Sequence, residues 1–360
     1  MFYTIVIFLL SSPLYIEDLT VADGFTIDLF ATDVVNARQM TRGDNGTIFV
    51  GTRNEGKVYA LVDHDKDGKS DKRYLIDNNL NMPSGVAFKD GSLYVAAVNQ
   101  ILRYDDIENQ LVKPAEPVVL INDLPDDTHH GWKAIEFNPG GNLFIPIGVP
   151  CNICISDDKR HGTIMELNVR TGRYTKYATG IRNSVGLAIH PGDNTLWFTD
   201  NGRDWLGDDS PPDEINHAHT PGLNFGFPYL HGKSTLDPDY GEQAEIEDYT
   251  LPAVELGAHV APLGLAFYTG QTFPKKYHSS LIVAEHGSWN RSDKTGYRVI
   301  LVQLNGKKVV RVEPFISGWL NKEEDEAWGR PVDILNLPDG SLLISDDYAD
   351  AIYRVTYPQK

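Results

Sequence analysis

The sequence predicts an all-β fold, a six-bladed β-propeller, on three observations. One pattern recurs six times in 360 residues: a Gly, Asn or Asp turn, a short apolar strand, then a second strand. No segment sustains the apolar period of a long helix. Glycine and proline number 32 and 21, a turn-rich composition for a chain of this length.

The copies begin at Gly46 (GTIFVGTRNEGKVYALV), Gly91 (GSLYVAAVNQILRYD) and Gly141 (GNLFIPIG, then GTIMELN). They continue at Asn194 (NTLWFTDNG), Ser280 (SLIVAEHG, then YRVILVQL) and Gly340 (GSLLISDD, then AIYRVTY). The steps are 45, 50, 53, 86 and 60 residues. Most copies carry a further strand upstream: SGVAFKDG, KAIEFNPGG, VGLAIHPGD, LGLAFYTG and VDILNLPDG. Units of three or four strands cannot bury both faces alone, so they stack as blades around an axis. The 86-residue step predicts a long insertion between the fourth and fifth repeats, polar and aromatic, from Asn216 to Thr250. A loop of that length in a compact domain is usually functional. The repeats run on without a linker, so residues 19–360 are expected to form a single propeller domain.

A net charge of −18, from 32 basic and 50 acidic residues, repels phosphate backbones and anionic membranes. Nucleic acid is therefore not an expected partner. The apolar start, Phe2–Leu10, is too short to span a bilayer but has the length of a secretory hydrophobic region. No Lys or Arg precedes it, and the first basic residue is Arg38. Residues 1–18 are read as a truncated or atypical leader, with a first strand or an anchor as the alternatives. A periplasmic or secreted protein is expected, and a monomer is the default.

Standard catalytic signatures are absent: no G-x-S-x-G, H-E-x-x-H or G-x-G-x-x-G occurs. GTRNEGKV has Val58 where a phosphate loop needs Ser or Thr, and reads as a hairpin turn. DHDKDGKSD places Asp63, Asp65, Asp67 and Asp71 around Gly68, spaced to surround a structural calcium ion or to form a solvated acidic hairpin. Cys151 and Cys154 form C-x-x-C. A local disulfide is favoured in an exported chain, and a two-thiol redox or metal site would lack two ligands.

More informative are the strand ends. His129 and His130 precede one strand, and Arg182 and Asn183 precede another. Asn201, Gly202, Arg203 and Asp204 follow a strand, as do His286, Trp289, Asn290 and Arg291. His259, Trp328 and Arg330 stand at equivalent places. In a propeller such loops converge on one face. Several cations, two or three imidazoles and an indole suit a flat, polyanionic, aromatic ligand.

Residues 19–357 resemble the glucose/sorbosone dehydrogenase family, soluble sugar dehydrogenases that use pyrroloquinoline quinone (PQQ), and most closely its L-sorbosone and pyranose dehydrogenase-like branch. The strings that carry the resemblance are NARQMTRGDNGTIFVGTR, GIRNSVGLAIHP, NGRDWLGDDSPPDEIN, GLNFGFPYLHG, HVAPLGLAFYTGQTFP, AEHGSWNR and GRPVDILNLPDGSLLISDD. The family fold is a six-bladed propeller. The resemblance implies PQQ and Ca2+ as cofactors, with His130 and Arg182 catalytic. It implies a cofactor-binding set of Lys133, Arg182, Asn183, Arg203, His259, His286, Trp289, Arg330 and Asp347. The backbone carbonyls of Gly202 and Arg203 would hold calcium. Some family positions differ. Val185 replaces a cofactor glutamine, Val332 a second arginine, His286 stands near a lysine position, and Arg203 replaces a proline.

The implied chemistry is oxidation of an aldose or related sugar. Calcium polarises the C5 carbonyl of PQQ, His130 takes the hydroxyl proton, and hydride passes from sugar C1 to C5. Arg182 would stabilise the developing oxyanion, and electrons would leave to an external acceptor. Two other readings stand beside this one. A calcium-dependent lactonase-type hydrolase would need a carboxylate cage at the inner strand ends. A non-catalytic binding module would need no such set of Arg, His and Trp loops.

Overall fold

The computed structural model describes residues 14–358. The leader expectation falls mostly on residues 1–13, outside those described. Six antiparallel sheets form the blades, spanning residues 37–77, 85–121, 136–179, 187–258, 262–317 and 331–356. The sixth takes its outermost strand, Thr26–Ala31, from the start of the chain, where Ile27 faces Val355 and Leu29 faces Tyr353. That pairing closes the ring by joining the two ends of the chain in one sheet.

Each sequence copy is the second strand of a blade. Ile48–Thr52, Ser92–Ala96, Leu143–Ile147, Leu196–Asp200, Leu281–Glu285 and Leu342–Asp346 are buried along their whole length. The cause is that both of their faces are covered. Val50 packs with Leu343 and Ile352 of blade six, while its neighbour Phe49 packs with Val86 and Leu93 of blade two. Ile145 packs towards Tyr94 of blade two, and adjacent Phe144 towards Leu187 and Phe198 of blade four. At about 1.5–3 kcal/mol per buried large apolar side chain, these seams dominate the stability of the ring.

The first strands of the blades lie side by side around the axis. Connections between second and third strands, and from a fourth strand to the next blade, therefore open on one face. Connections between first and second strands, and between third and fourth, open on the other. The predicted insertion lies within blade four, between Pro212–Ala218 and Val254–Ala258. Its Leu223–Asn224 runs parallel to Ala178–Thr179 at the edge of blade three, and a short hairpin pairs Leu230–His231 with Thr235–Leu236. No helix among the described residues is long and apolar enough to cross a membrane.

Candidate active site

A cavity of about 580 Å3 opens on the face that carries the second-to-third-strand connections. Every blade except the second contributes to its wall through loops at those strand ends, and Met82, just before blade two, adds to the rim. Leu263 and Trp132 line the cavity near the axis, where Leu263 packs with Val185 and Val332.

Two aspartates at the same register set two of the arginines. Asp200 and Asp346 each end a second strand. Asp200 Oδ2 accepts from the backbone N–H of Arg182 at 2.9 Å, and Asp346 Oδ1 from that of Arg330 at 2.9 Å. Arg182 and Arg330 thus enter their blades in equivalent poses, and both line the cavity.

His130 comes from the connection into blade three. Its backbone is left-handed, with φ of 53°, which turns the ring towards the cavity wall. A Cβ on Gly148 would stand 2.6 Å from His130 Cβ, so only glycine fits directly after the second strand of blade three. Nδ1 of His130 lies 2.9 Å from the Val149 carbonyl oxygen and donates to it, which leaves Nε2 as an acceptor. Burial, then the charge of Arg182, then the neighbouring His129, lowers the His130 pKa to about 2.

Blades five, six and one meet on Asp347. Arg38 Nη1 donates to its Oδ2 at 2.8 Å; His286 Nε2 and Arg330 Nε lie 2.9 and 3.1 Å from Oδ1. Burial opposes ionisation of Asp347, yet His286, Arg38 and Arg330 hold it well below the usual carboxylate range. Arg53 stands apart from these pairs. Its guanidinium lies over the Trp132 ring at 3.7 Å, and no carboxylate among the described residues reaches it. Burial, and then the charge of Arg38, lowers its pKa to about 10. Arg53 Nε and Trp132 Nε1 are both buried without hydrogen-bond partners. Two orphaned donors and a surplus of cations on one cavity wall are what an anionic, acceptor-rich ligand would complete.

The opposite wall carries oxygens. Gly202 and Asp213 line it, with Asp213 accepting from Gly202 N at 2.7 Å and Ala261 N at 2.8 Å. Burial raises the Asp213 pKa to about 7 against those two bonds. His259 also lines the cavity, with Nε2 at 2.8 Å from the Gly207 carbonyl. Trp289 reaches the mouth, 70% exposed, and meets Trp205 edge to face at 5.4 Å. Tyr297 lies against Gly287, where a Cβ would come within 2.3 Å of its ring.

The structure gathers His130, Arg182, Asn183, Gly202, His259, His286, Trp289 and Arg330 around one cavity. Asp347 stands behind it, joined to its cations. Two residues differ in placement. Lys133 does not line the cavity; it is buried near the axis and donates to the Gly131 carbonyl at 2.6 Å, and burial lowers its pKa to about 7. The Arg203 side chain turns to the insertion, where it meets Asp237 at 2.6 Å and Asp239 at 3.2 Å. Its backbone stays beside Gly202. The loop with Asp63, Asp65 and Asp71 brings three carboxylates within 4.8 Å of one another, without Asp67. It joins third and fourth strands, on the opposite face from the cavity. Cys151 and Cys154 are joined in a disulfide.

Arg38, Arg53 and Trp132 also line the cavity, and sequence alone does not single them out. A uniform rule would have found Arg53: it follows a second strand directly, in the register of Asn201, His286 and Asp347.

Solved structures share this architecture. An enzyme of carbohydrate-active family AA12 from Trichoderma reesei matches with a TM-score of 0.82 at 19% identity, over 94% of this chain and 98% of that one. The holo PQQ domain of pyranose dehydrogenase from Coprinopsis cinerea matches at 0.78 and 16%, over 94% and 97%. The PQQ-bound aldose sugar dehydrogenase of Streptomyces coelicolor matches at 0.65 and 18%, over 93% and 99%. At such identities the likeness is one of fold, a six-bladed propeller. By sequence the chain belongs to the family described as domain of unknown function DUF7133, which matches residues 13–359. A Borreliella burgdorferi protein described as uncharacterized is 35% identical, over 98% of this chain and 95% of that protein.

Proposed function

We propose that the protein is a PQQ- and calcium-dependent sugar dehydrogenase, acting on an aldose or related sugar. The observation that carries this reading is the cation surplus on the cavity wall: Arg38, Arg53 and Arg330 face the cavity, and one carboxylate, Asp347, pairs with Arg38 and Arg330 and leaves Arg53 unpaired. PQQ is flat, aromatic and tricarboxylic, and the cavity volume lies within the usual ligand range of roughly 300–1,000 Å3. Arg53 and Trp132 would give it their orphaned donors, Arg330 its charge, and Leu263 an apolar seat. The carbonyls of Gly202 and Arg203, beside Asp213, would hold calcium, since hard cations take oxygen ligands. When bound, PQQ supplies a two-electron-accepting carbonyl and calcium the Lewis acid that polarises it.

The chain's own part is positional and acid–base. His130 Nε2, the free nitrogen of a neutral imidazole, accepts the sugar hydroxyl proton. Four N–H groups of Arg182 are taken by Asn152, Asn201 and Asp204. One on Nη1 remains for a developing oxyanion. Trp289 offers the sugar an apolar face at the mouth. The lactonase-type alternative draws no support from the carboxylates here. Asp213 is engaged on both oxygens by backbone donors, and Asp204 on both by Arg182 and Asn290. The disulfide suits an oxidising compartment, in keeping with a periplasmic or secreted enzyme.

The test is an aldose panel assayed with an artificial electron-accepting dye, on protein given calcium and PQQ together or singly. Sugar-dependent dye reduction only with both supports the reading. No reduction with any sugar, in protein that binds both, overturns the substrate class.

A further inference from the structure

We propose that Asn152, carried in the loop that the Cys151–Cys154 disulfide closes, is the positioning residue for Arg182 and the 201–205 loop, so that an active-site geometry depends on this bridge. For its catalytic consequence the inference rests on the function proposed above; for its geometry it does not.

Asn152 makes four contacts, all to the cavity wall. Its backbone carbonyl accepts from Arg182 Nε at 2.8 Å. Its Oδ1 accepts from Arg182 Nη2 at 2.9 Å and from Asp204 N at 2.8 Å. Its Nδ2 donates to the Asp204 carbonyl at 3.1 Å. One side-chain amide therefore fixes the orientation of a buried guanidinium and both backbone groups of Asp204. The Asp204 carboxylate completes the arrangement: Oδ2 accepts from Arg182 Nη2 at 3.2 Å, and Oδ1 from Asn290 of blade five at 2.7 Å. Blades three, four and five are joined at the cavity rim through this single residue and its carboxylate neighbour.

Asn152 lies between the strands Leu143–Ile147 and Thr163–Asn168, in a connection with no regular structure. An open connection of that length would sample many conformations, and ordering them costs entropy. The disulfide brackets Asn152 on both sides and restricts that freedom. The loop needs no cysteine to cross from strand to strand. What the bridge adds is a fixed Asn152.

The test uses four variants: Asn152→Ala, Asn152→Asp, the pair Cys151→Ser and Cys154→Ser, and Asn152→Ala combined with that pair. Hydrogen exchange at the Asp204 amide is read in ligand-free protein. Faster exchange in Asn152→Ala and in the serine pair, with no further rise in the triple variant, is expected. Turnover with PQQ, calcium and a sugar should fall about ten- to a hundredfold in Asn152→Ala. The serine pair should add little on that background, and Asn152→Asp, which keeps both acceptor bonds but gives up the Nδ2 bond to the Asp204 carbonyl, should recover part of the loss. Unchanged Asp204 protection in Asn152→Ala overturns the proposal. So does a triple variant whose loss is the product of the separate losses. Because exchange needs no cofactor, it decides this inference even if no sugar is oxidised.

Discussion

The Nδ1 of His130 lies 2.9 Å from the carbonyl oxygen of Val149, and this bond fixes the tautomer of the ring. The proton sits on Nδ1, and Nε2 is left to accept. Gly148 makes the approach feasible, since any side chain there would strike His130. His130→Ala should thus lower turnover by about two to four orders of magnitude while leaving PQQ affinity nearly intact. Steady-state kinetics beside a PQQ titration checks this. Unchanged turnover would remove His130 as the base.

The same histidine shapes stability against pH. In the fold it stays neutral to about pH 2, whereas the unfolded chain binds a proton below the ordinary 6.5. The unfolded state then holds more protons, so stability present above 6.5 is lost as pH falls, by up to about 1.4 kcal/mol per unit. Urea denaturation at several pH values should show a shallower decline in His130→Ala. Equal slopes would mean the ring is protonated in the fold.

Arg53 is a desolvated cation with no carboxylate among the described residues to pair it. Arg53→Met should weaken PQQ binding by about tenfold or more, since a charge-assisted bond contributes about 1.5–3 kcal/mol. The melting temperature of the ligand-free protein should hold or rise, because functional sites keep unfavourable charges for their ligands. A clear fall in melting temperature would show that Arg53 is structural.

Asp347 has the opposite role. Asp347→Asn removes the counter-charge of Arg38 and Arg330 together, and breaking such a buried pair costs about 3–5 kcal/mol. A tricarboxylate would supply new counter-charge, so added PQQ should return part of the lost stability in thermal melts. Stability unaffected by the substitution would contradict this account of the cluster.

Much of the fold is legible in the sequence because the six second strands are buried on both faces. Strings such as IFVGT and LFIPI announce themselves without any partner in view. Closure of the ring is less visible: Thr26–Ala31 pairs with a strand more than 300 residues away, and no local pattern encodes that distance. The site shows the same division. His130, Arg182, His286 and Arg330 are found from loop register alone. Lys133 and Arg203 share that register, yet a Gly131 carbonyl and the insertion's Asp237 claim their side chains. Sequence places a backbone at the rim, but tertiary partners decide where a long side chain points. Arg38 and Arg53 escape notice because blade one carries no histidine or tryptophan at its rim to draw attention to them.

The most direct measurement is a titration of metal-free protein with PQQ, followed by tryptophan fluorescence, with and without calcium. Trp132 and Trp289 line the cavity, so occupancy should quench emission. The account predicts saturable quenching with one PQQ per chain, strengthened by calcium and weakened in Arg53→Met. Absence of binding under both conditions would leave the propeller intact and contradict the proposed function.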